Sequence, residues 1–259
     1  MNLEYVQVIR DGAITTITLN RPECLNALHI PAHRELAEIF DAYFADSSQR
    51  VAILTGSGAR AFCAGNDLKY QAVNGALQRP PAGFGGLASR FDRDKPVIAA
   101  VNGIAAGGGF ELALACDLVI AAQTASFSLP EPKVGLAALA GGLLRLPRQV
   151  GLKHAMGVIL TGRSVGAEEG LRMGFVNEVV QPSDVVLCAR SWALQILQCS
   201  PASITASMQA MRRGMEVPDL EAAMLAHIDV QAVQELRNSA DFLEGPRAFS
   251  EKRKPRWTT

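Results

Sequence analysis

Three consecutive glycines followed closely by a glutamate form the most chemically suggestive segment of the chain. Gly107, Gly108 and Gly109 come after an apolar run that predicts a buried strand, and a helical pattern containing Glu111 follows. Backbone N–H groups at such a helix start lack intrahelical partners, and residues without side chains let a ligand approach them. The pattern is typical of an anion site, or of an oxyanion site if charge develops there during reaction. A tight strand-to-helix crossing with Glu111 at the surface explains the spacing equally well.

Two further segments carry pieces that acid–base chemistry needs. Residues 62–68 form a small-residue turn after a predicted strand and can present another backbone N–H. Glu131 lies between Pro130 and Pro132, which restrict its backbone. Two carboxylates and two small-residue turns suit proton transfer next to an enolate.

Two motifs resemble known sites but have the wrong context. Residues 56–61 fit the dinucleotide fingerprint G-x-G-x-x-A, yet no long helix follows, so a turn at a strand exit is the better interpretation. Residues 162–166 fit G-x-S-x-G around Ser164, but a predicted helix precedes them where a nucleophile elbow needs a strand. A serine hydrolase is therefore disfavoured, and His227, the histidine that follows Ser164, is predicted to pack in the core.

His29 and His33 have an i, i+4 spacing that can bind zinc. No glutamate completes an H-E-x-x-H motif, and no third ligand is evident. We predict no metal site and expect both side chains to face solvent near a helix start.

The order and spacing of the segments resemble the enoyl-CoA hydratase/isomerase (crotonase) superfamily over essentially the whole chain. The resemblance is carried by residues 20–28, 62–68, 95–111, 116–117, 130–131, 160–163 and 249–253. It implies an α/β fold, a crotonase-like spiral of ββα units with a C-terminal helical trimerisation region. It also implies an acyl-CoA thioester as substrate, with no cofactor beyond the coenzyme A of that substrate.

The resemblance also assigns roles to the residues of the site. It places the thioester oxygen between the backbone N–H groups of Asn66 and Gly108, with Glu111 activating water and Glu131 delivering a proton to Cα. Members with both glutamates are typical of hydration or dehydration, so an enoyl-CoA hydratase is implied. A carnitinyl-CoA dehydratase-like enzyme, an enoyl-CoA isomerase and a non-catalytic acyl-CoA binding protein stay open as alternatives.

Leu139 is the clearest departure from the common hydratase pattern. It replaces a residue that is small, or acidic in several isomerases and dehalogenases, which argues against those acid-dependent reactions and reshapes the predicted acyl pocket. Residues 144–147 and 244–253 resemble the carnitinyl-CoA dehydratase branch, which makes that branch a serious candidate.

Contacts with the substrate and its CoA are also implied by the resemblance. The residues concerned are Ala27, Leu28, Ala64, Asp67, Leu68, Leu139, Phe249 and Lys252. The last two would approach the nucleotide, often of a neighbouring subunit in a homotrimer or homohexamer. A solvated basic tail explains residues 245–259 equally well.

The elements that must position these residues alternate between strand and helix, and then only helices follow. Asp11-Gly12 between apolar runs predicts a hairpin, a helix begins near Pro31, and proline and glycine predict a loop over residues 78–86. The other predicted strands are 51–54, 97–101, 118–121, 126–129 and 176–180, and the late helices are 183–197, 201–215 and 218–236. This order predicts an α/β layer followed by a helical appendage, and the family resemblance implies that these are a spiral core over residues 1–199 and a helical oligomerisation region over 200–259.

Composition limits the possible partners. Lys plus Arg equals Asp plus Glu at 25 each, which argues against a nucleic-acid binder. The uncharged, glycine-interrupted stretch from Val97 to Phe110 is shorter than the ~20 apolar residues of a membrane span. The five cysteines are odd in number and lack C-x-x-C spacing, so we expect reduced thiols and a cytoplasmic location.

Overall fold

The structure is a computed structural model that describes residues 3–75, 81–91 and 93–258. Its contacts divide the chain into two compact units, one within residues 1–91 and 96–193 and one within 92–95 and 194–259. The first unit mixes strands and helices, whereas the second is helical. Part of the predicted loop over residues 78–86, namely 78–80, lies outside the described residues.

The first unit alternates strands and helices as the sequence predicts. Its strands are β1 (Val6–Asp11), β2 (Ile14–Leu19), β3 (Val51–Gly56), β4 (Ala61–Cys63), β5 (Val97–Val101), β6 (Ile104–Ala106), β7 (Leu118–Ala122), β8 (Ser126–Ser128), β9 (Ser164–Gly166) and β10 (Glu178–Val180). Its helices are α1 (Ile30–Ala45), α2 (Leu68–Asn74), α3 (Gly108–Ala115), α4 (Gly142–Val150), α5 (Leu152–Thr161), α6 (Ala167–Met173) and α7 (Val185–Leu197), the last of which continues into the second unit. The predicted strands and helices of this unit are confirmed, with ends that differ by a residue or two.

The larger sheet has the strand order β1-β2-β3-β5-β7-β10. The hairpin pairs Asp11 with Ile14 across Gly12, which has a φ of +59° as such a turn requires. From β2 onwards the strands pair in parallel, and β3 and β5 are buried along their whole length. Continuous burial explains why these strands are uninterrupted apolar runs rather than alternating ones.

A smaller sheet of order β4-β6-β8-β9 positions the candidate site. Strands β3, β5 and β7 belong to the larger sheet, and each is followed by a strand of the smaller one before the chain turns into a helical segment. Because β4, β6 and β8 run in parallel, their carboxyl ends meet at one edge. The segments that leave this edge are the three that the sequence singles out for chemistry.

The apolar core of the first unit fixes the helices against this edge. Phe110 of α3, Phe127 of β8 and Phe175 form a cluster with ring centroids 5.1 to 5.2 Å apart. The predicted apolar face of α1 is also confirmed, with Leu36 and Phe40 completely buried. These contacts hold α3 rigidly behind the glycine turn at its start.

The second unit contains α8 (Pro201–Gly214), α9 (Leu220–Ala226), α10 (Gln231–Arg237) and α11 (Ala240–Ser250). The prediction of one helix over 218–236 is wrong, because a 3₁₀ turn at His227–Asp229 and extended backbone at Val230 separate α9 from α10. The prediction of a core position for His227 is wrong as well, since its side chain is exposed. The neighbouring apolar residues Leu220, Met224 and Ile228, which made a core position plausible, are themselves exposed in the structure. None of the helices in the described part of the chain is long and apolar enough to cross a membrane.

Candidate active site

A cavity of about 350 Å³ opens at the carboxyl ends of β4, β6 and β8. Ligands of open α/β sheets commonly bind outside the carboxyl ends of parallel strands. Of the predicted site residues, the cavity brings together Ala64, Asn66, Leu68, Gly108, Glu111, Glu131 and Leu139.

Close backbone packing of glycines joins the turn after β4 to the start of α3. A Cβ atom at Gly109 would lie 1.9 Å from the Cys63 carbonyl oxygen, and one at Gly65 would lie 3.0 Å from the Gly108 nitrogen. Gly65 also has a φ of +93°, in the left-handed region that favours glycine. The glycines therefore bring two backbone turns together at van der Waals distance.

The backbone around Asn66 is fixed by a short parallel bridge to Leu28. The Leu28 N–H donates to the Gly65 carbonyl at 2.8 Å, and the Asp67 N–H donates to the Leu28 carbonyl at 2.9 Å. Leu28 is thus buried and holds the turn from behind. Among the described residues, no hydrogen bond uses the N–H of Asn66 itself.

Gly108 presents the matching donor from the first residue of α3. The preceding Gly107 donates its N–H to the Ser128 carbonyl at 2.9 Å, which anchors the helix start to β8. Within the described part of the chain, the Gly108 N–H has no acceptor either. Two fixed, unused N–H groups at one cavity can hold a carbonyl oxygen and stabilise negative charge on it.

Glu111 lies in the first turn of α3 with 3% of its surface exposed. Its Oε1 accepts a hydrogen bond from the Gly142 N–H, at the start of α4, at 2.8 Å. A Cβ atom at Gly142 would come within 3.1 Å of this carboxylate. The second glycine pair of the sequence, residues 141–142, therefore accommodates and orients Glu111.

Glu131 opens a 3₁₀ turn, Glu131–Val134, that follows β8. One carboxylate oxygen lies 2.9 Å from the position that a Cβ atom of Gly107 would occupy, so the group reaches across to the start of α3. The other oxygen, Oε2, is buried and has no hydrogen-bond partner among the described residues. Burial raises the pKa of Glu131 above its ordinary value.

Large aliphatic side chains form the rim of the cavity. Leu139 is 61% exposed, and Leu68, Val134 and Leu136 are exposed beside it on the lining. Among the described residues that line the cavity, Glu111 and Glu131 are the only charged ones. The rim is suited to contact an apolar group of a ligand.

Asp67 has a local structural role in addition to the CoA contact that the family resemblance implies for it. Its side chain caps α2 by accepting the Tyr70 N–H at 3.0 Å, and it forms a nearly buried ion pair with Arg21 at 2.9 Å. Arg21 also donates to the Ala27 carbonyl at 2.6 Å. Burial alone would raise the pKa of Asp67, but the capping bond and the Arg21 guanidinium lower it overall. Sequence reasoning overlooked Arg21 as the residue that fixes this backbone.

Phe249 and Lys252 belong to the second unit. Both are exposed, and Phe249 has 87% of its surface accessible. They do not line the cavity of the first unit. Their contact with a nucleotide stays a prediction.

His29 and His33 do not face solvent as predicted, since both are buried. His29 caps α1 by accepting the Ala32 N–H, and its ring packs edge-on against Tyr5 and Tyr70. His33 precedes Leu36 by one helical step of three residues and so lies on the apolar face of α1. That spacing was visible in the sequence and could have predicted the burial.

The two motifs that were rejected have the structures expected of them. Ser164 is the exposed first residue of β9 and follows α5, so it has no nucleophile elbow. Gly56 ends β3, and the short β4 rather than a helix follows the turn.

Comparisons with known proteins agree with this geometry. The family model described as enoyl-CoA hydratase/isomerase matches residues 10–259. A carnitinyl-CoA dehydratase of Escherichia coli (strain K12) is 43% identical over 257 residues, which cover 98% of each chain. The crystal structure of an enoyl-CoA hydratase from Mycobacterium tuberculosis H37Rv superposes with a TM-score of 0.92 at 37% identity, covering 98% of each chain. An enoyl-CoA hydratase from Bacillus anthracis gives 0.89 at 35% identity, with 98% of this chain and 99% of that one covered. These likenesses confirm the predicted α/β crotonase fold and the predicted family, while the trimerisation role of the C-terminal helices stays a prediction.

Proposed function

This chain belongs to the enoyl-CoA hydratase/isomerase family of the crotonase superfamily, and from that premise we propose that it is a hydro-lyase that adds water reversibly to a 2-enoyl-CoA thioester. The observation that carries the proposal is the convergence of two carboxylates, Glu111 and Glu131, with the free N–H groups of Asn66 and Gly108 at one cavity.

In the proposed reaction, the thioester oxygen accepts hydrogen bonds from Asn66 and Gly108. Glu111 takes a proton from water, the oxygen of that water forms a bond to Cβ, and the electron pair of the double bond moves to give an enolate. Glu131 then donates its proton to Cα, and the thioester carbonyl is restored. Each N–H donor is expected to lower the barrier by roughly 3–4 kcal/mol, the magnitude measured for single oxyanion donors.

The surroundings of the two carboxylates support this division of labour. Glu111 accepts the Gly142 N–H, which orients its carboxyl group in the first turn of α3. Glu131 has a raised pKa because it is buried, so it retains a proton more readily. An ionised base and a protonated acid are what water addition requires.

A second candidate is dehydration of carnitinyl-CoA, favoured by 43% identity with dehydratases of that name. The bond changes are those of the proposed reaction in reverse, but the acyl group carries a quaternary ammonium. The exposed aliphatic rim at Leu136 and Leu139 favours an uncharged acyl group instead. We therefore expect crotonyl-CoA to be the better substrate.

Turnover of a panel of acyl-CoA thioesters tests the proposal. Loss of enoyl absorbance from crotonyl-CoA and longer 2-enoyl-CoAs, and its gain from carnitinyl-CoA, should be measured for wild type, Glu111→Gln and Glu131→Gln. Either substitution should reduce kcat by at least about a hundredfold, the lower range for loss of general acid–base catalysis. The exposed Glu168→Gln and Ser164→Ala variants are matched controls with unchanged turnover. Undiminished turnover in both active-site variants contradicts the mechanism, and CoA-ester binding without any turnover indicates a non-catalytic binder.

A further inference from the structure

His33 is a buried histidine that the proposed reaction does not use. It lies in α1 with 1% of its surface exposed, and its Nδ1 accepts a hydrogen bond from the Gly85 N–H at 3.0 Å. Burial lowers its pKa to about 4, so at neutral pH the ring is uncharged and carries its proton on Nε2. That Nε2 has no partner among the described residues. Burying an Nε2–H group without a hydrogen-bond partner lowers the stability of the fold. The presence of His33 despite this cost suggests that its Nδ1 hydrogen bond has a functional role.

The bond fixes a glycine-rich turn, Phe84–Gly86, that is wedged between two helices. A Cβ atom at Gly86 would lie 2.5 Å from the backbone nitrogen of Ala37 in α1, and one at Gly85 would lie 2.8 Å from Leu112 in α3. Both glycines have positive φ, at +60° for Gly85 and +65° for Gly86. The turn therefore fills the space between α1 and α3 with almost no freedom to shift.

Phe84 transmits this position to the cavity. Its ring packs edge-on against His33 with centroids 4.6 Å apart. The nearest atom of the same ring lies 2.5 Å from the position that a Cβ atom of Gly108 would occupy, so the ring packs directly against the Gly108 backbone. Phe84 thus separates His33 from the backbone that carries the Gly108 N–H, and it also lines the cavity.

We propose that His33 is a positioning residue: by accepting the Gly85 N–H it holds the Phe84 ring against Gly108 and so directs the Gly108 N–H at the thioester oxygen. The identity of that oxygen rests on the proposed function. Catalysis by such a donor depends on geometry fixed before the reaction begins. A displacement of about 1 Å can cost about a hundredfold in rate.

The test compares three variants of the full chain. In His33→Asn the amide oxygen can replace Nδ1 as acceptor, whereas His33→Leu has no acceptor. His29→Leu is the control, because it removes a buried histidine and its backbone hydrogen bond from the same helix, away from the Phe84 turn. The readouts are kcat and KM for crotonyl-CoA, thermal unfolding, and the absorbance shift of bound 4-dimethylaminocinnamoyl-CoA, which reports hydrogen bonding to the thioester carbonyl.

We expect His33→Leu to lower kcat by about tenfold to a hundredfold with a much smaller change in KM, and to reduce the absorbance shift. His33→Asn should restore most of both, and His29→Leu should lower the unfolding temperature alone. The proposal is overturned if His33→Leu keeps the wild-type kcat and absorbance shift, if both Leu variants lose activity equally, or if His33→Asn fails to restore activity.

A separate outcome concerns the proposed function. Wild-type protein that shifts the probe spectrum but hydrates no enoyl-CoA contradicts the proposed function, while the absorbance shift still tests the role of His33. Wild-type protein that leaves the spectrum unchanged overturns the positioning role too.

Discussion

At the scale of single residues, two glutamates of one cavity differ in their surroundings. Gly142 donates an N–H to Glu111, whereas Oε2 of Glu131 is buried without a partner among the described residues. Burial raises the pKa of Glu131 and favours its protonated form, whereas the Gly142 N–H orients the carboxyl group of Glu111. These contacts support the roles of base and acid that the family resemblance implies for Glu111 and Glu131.

This difference predicts the alkaline limb of the pH profile. Water addition needs a protonated Glu131, so kcat/KM for hydration should fall as pH rises through its raised pKa. The pH dependence of kcat/KM for crotonyl-CoA measures this. If kcat/KM stays constant as pH rises through the raised pKa of Glu131, another group donates the proton. The same conclusion follows if the Glu131→Gln variant shows the same decrease at alkaline pH.

The same burial predicts that Glu131 destabilises the fold when ionised. Because the folded protein holds this proton more tightly than the unfolded chain, the free energy of unfolding decreases as pH rises from the ordinary carboxyl pKa through the raised one. Glu131→Gln should therefore be more stable than wild type at neutral pH, and the difference should vanish in acid. Chemical denaturation at several pH values measures this, with the exposed Glu168→Gln as control. An equal gain in acid would point to a cause other than ionisation.

At the scale of secondary structure elements, backbone contact between β4 and α3 is the decisive feature. The Cys63 carbonyl occupies the space that a side chain at Gly109 would need. The sequence predicted a glycine-rich strand-to-helix turn there, but it left an oxyanion site and a plain crossing equally open. Contact with the turn at Gly65, a residue distant in sequence, supplies the second N–H and could not be derived from local spacing.

A pair of glycine substitutions tests this packing. Gly109→Ala should destabilise the protein by about 3 kcal/mol or more, the upper range for overpacking, because backbone atoms cannot give way as a side chain can. Gly157→Ala is the matched control in the exposed interior of α5, with no atom within 4 Å, and should stabilise by up to about 1 kcal/mol through helix propensity. Denaturant unfolding compares the two. Equal stability of both variants would refute the close contact.

Other element-scale features escaped the sequence for definable reasons. The prediction of one helix over residues 218–236 missed the 3₁₀ turn at His227–Asp229, because no glycine or proline marks that turn. The i, i+4 spacing of His29 and His33 suggests a pair at the surface, whereas the three-residue step from His33 to the buried Leu36 places His33 on the apolar face of α1. The Phe84–Gly86 turn was predicted only as part of a loop, since its packing against α1 and α3 depends on tertiary contacts.

At the scale of the whole molecule, the site depends on the parallel strands β4, β6 and β8 of the smaller sheet. Each of them directly follows a strand of the larger sheet along the chain. The hairpin, the buried strands and the switch to helices were predictable from apolar runs and turn residues. The alternation between a larger and a smaller sheet was implied only by the family resemblance. It is this alternation that brings the exits of β4, β6 and β8 to one edge.

Exposed apolar side chains on the helices of the second unit lead us to predict that the protein associates with copies of itself. Several large apolar side chains on its helices are exposed, among them Met211, Met215, Leu220, Leu225 and Phe249. Clusters of exposed apolar side chains commonly mark interaction surfaces. The family resemblance implies a homotrimer or homohexamer, so we expect one of these in sedimentation velocity at micromolar concentration, and Met215→Glu should shift it towards smaller species. A monomeric wild-type protein would contradict this prediction.

The measurement that tests the central claim most directly is isotope incorporation from water during turnover of crotonyl-CoA. Wild type incubated in water labelled with heavy oxygen and deuterium should give a 3-hydroxyacyl-CoA with heavy oxygen on Cβ and deuterium on Cα, as read by mass spectrometry. Glu111→Gln and Glu131→Gln should each form this product at least about a hundredfold more slowly. Labelled product formed at the wild-type rate by both variants would contradict the assignment of base and acid, and no labelled product from wild type would contradict hydration itself.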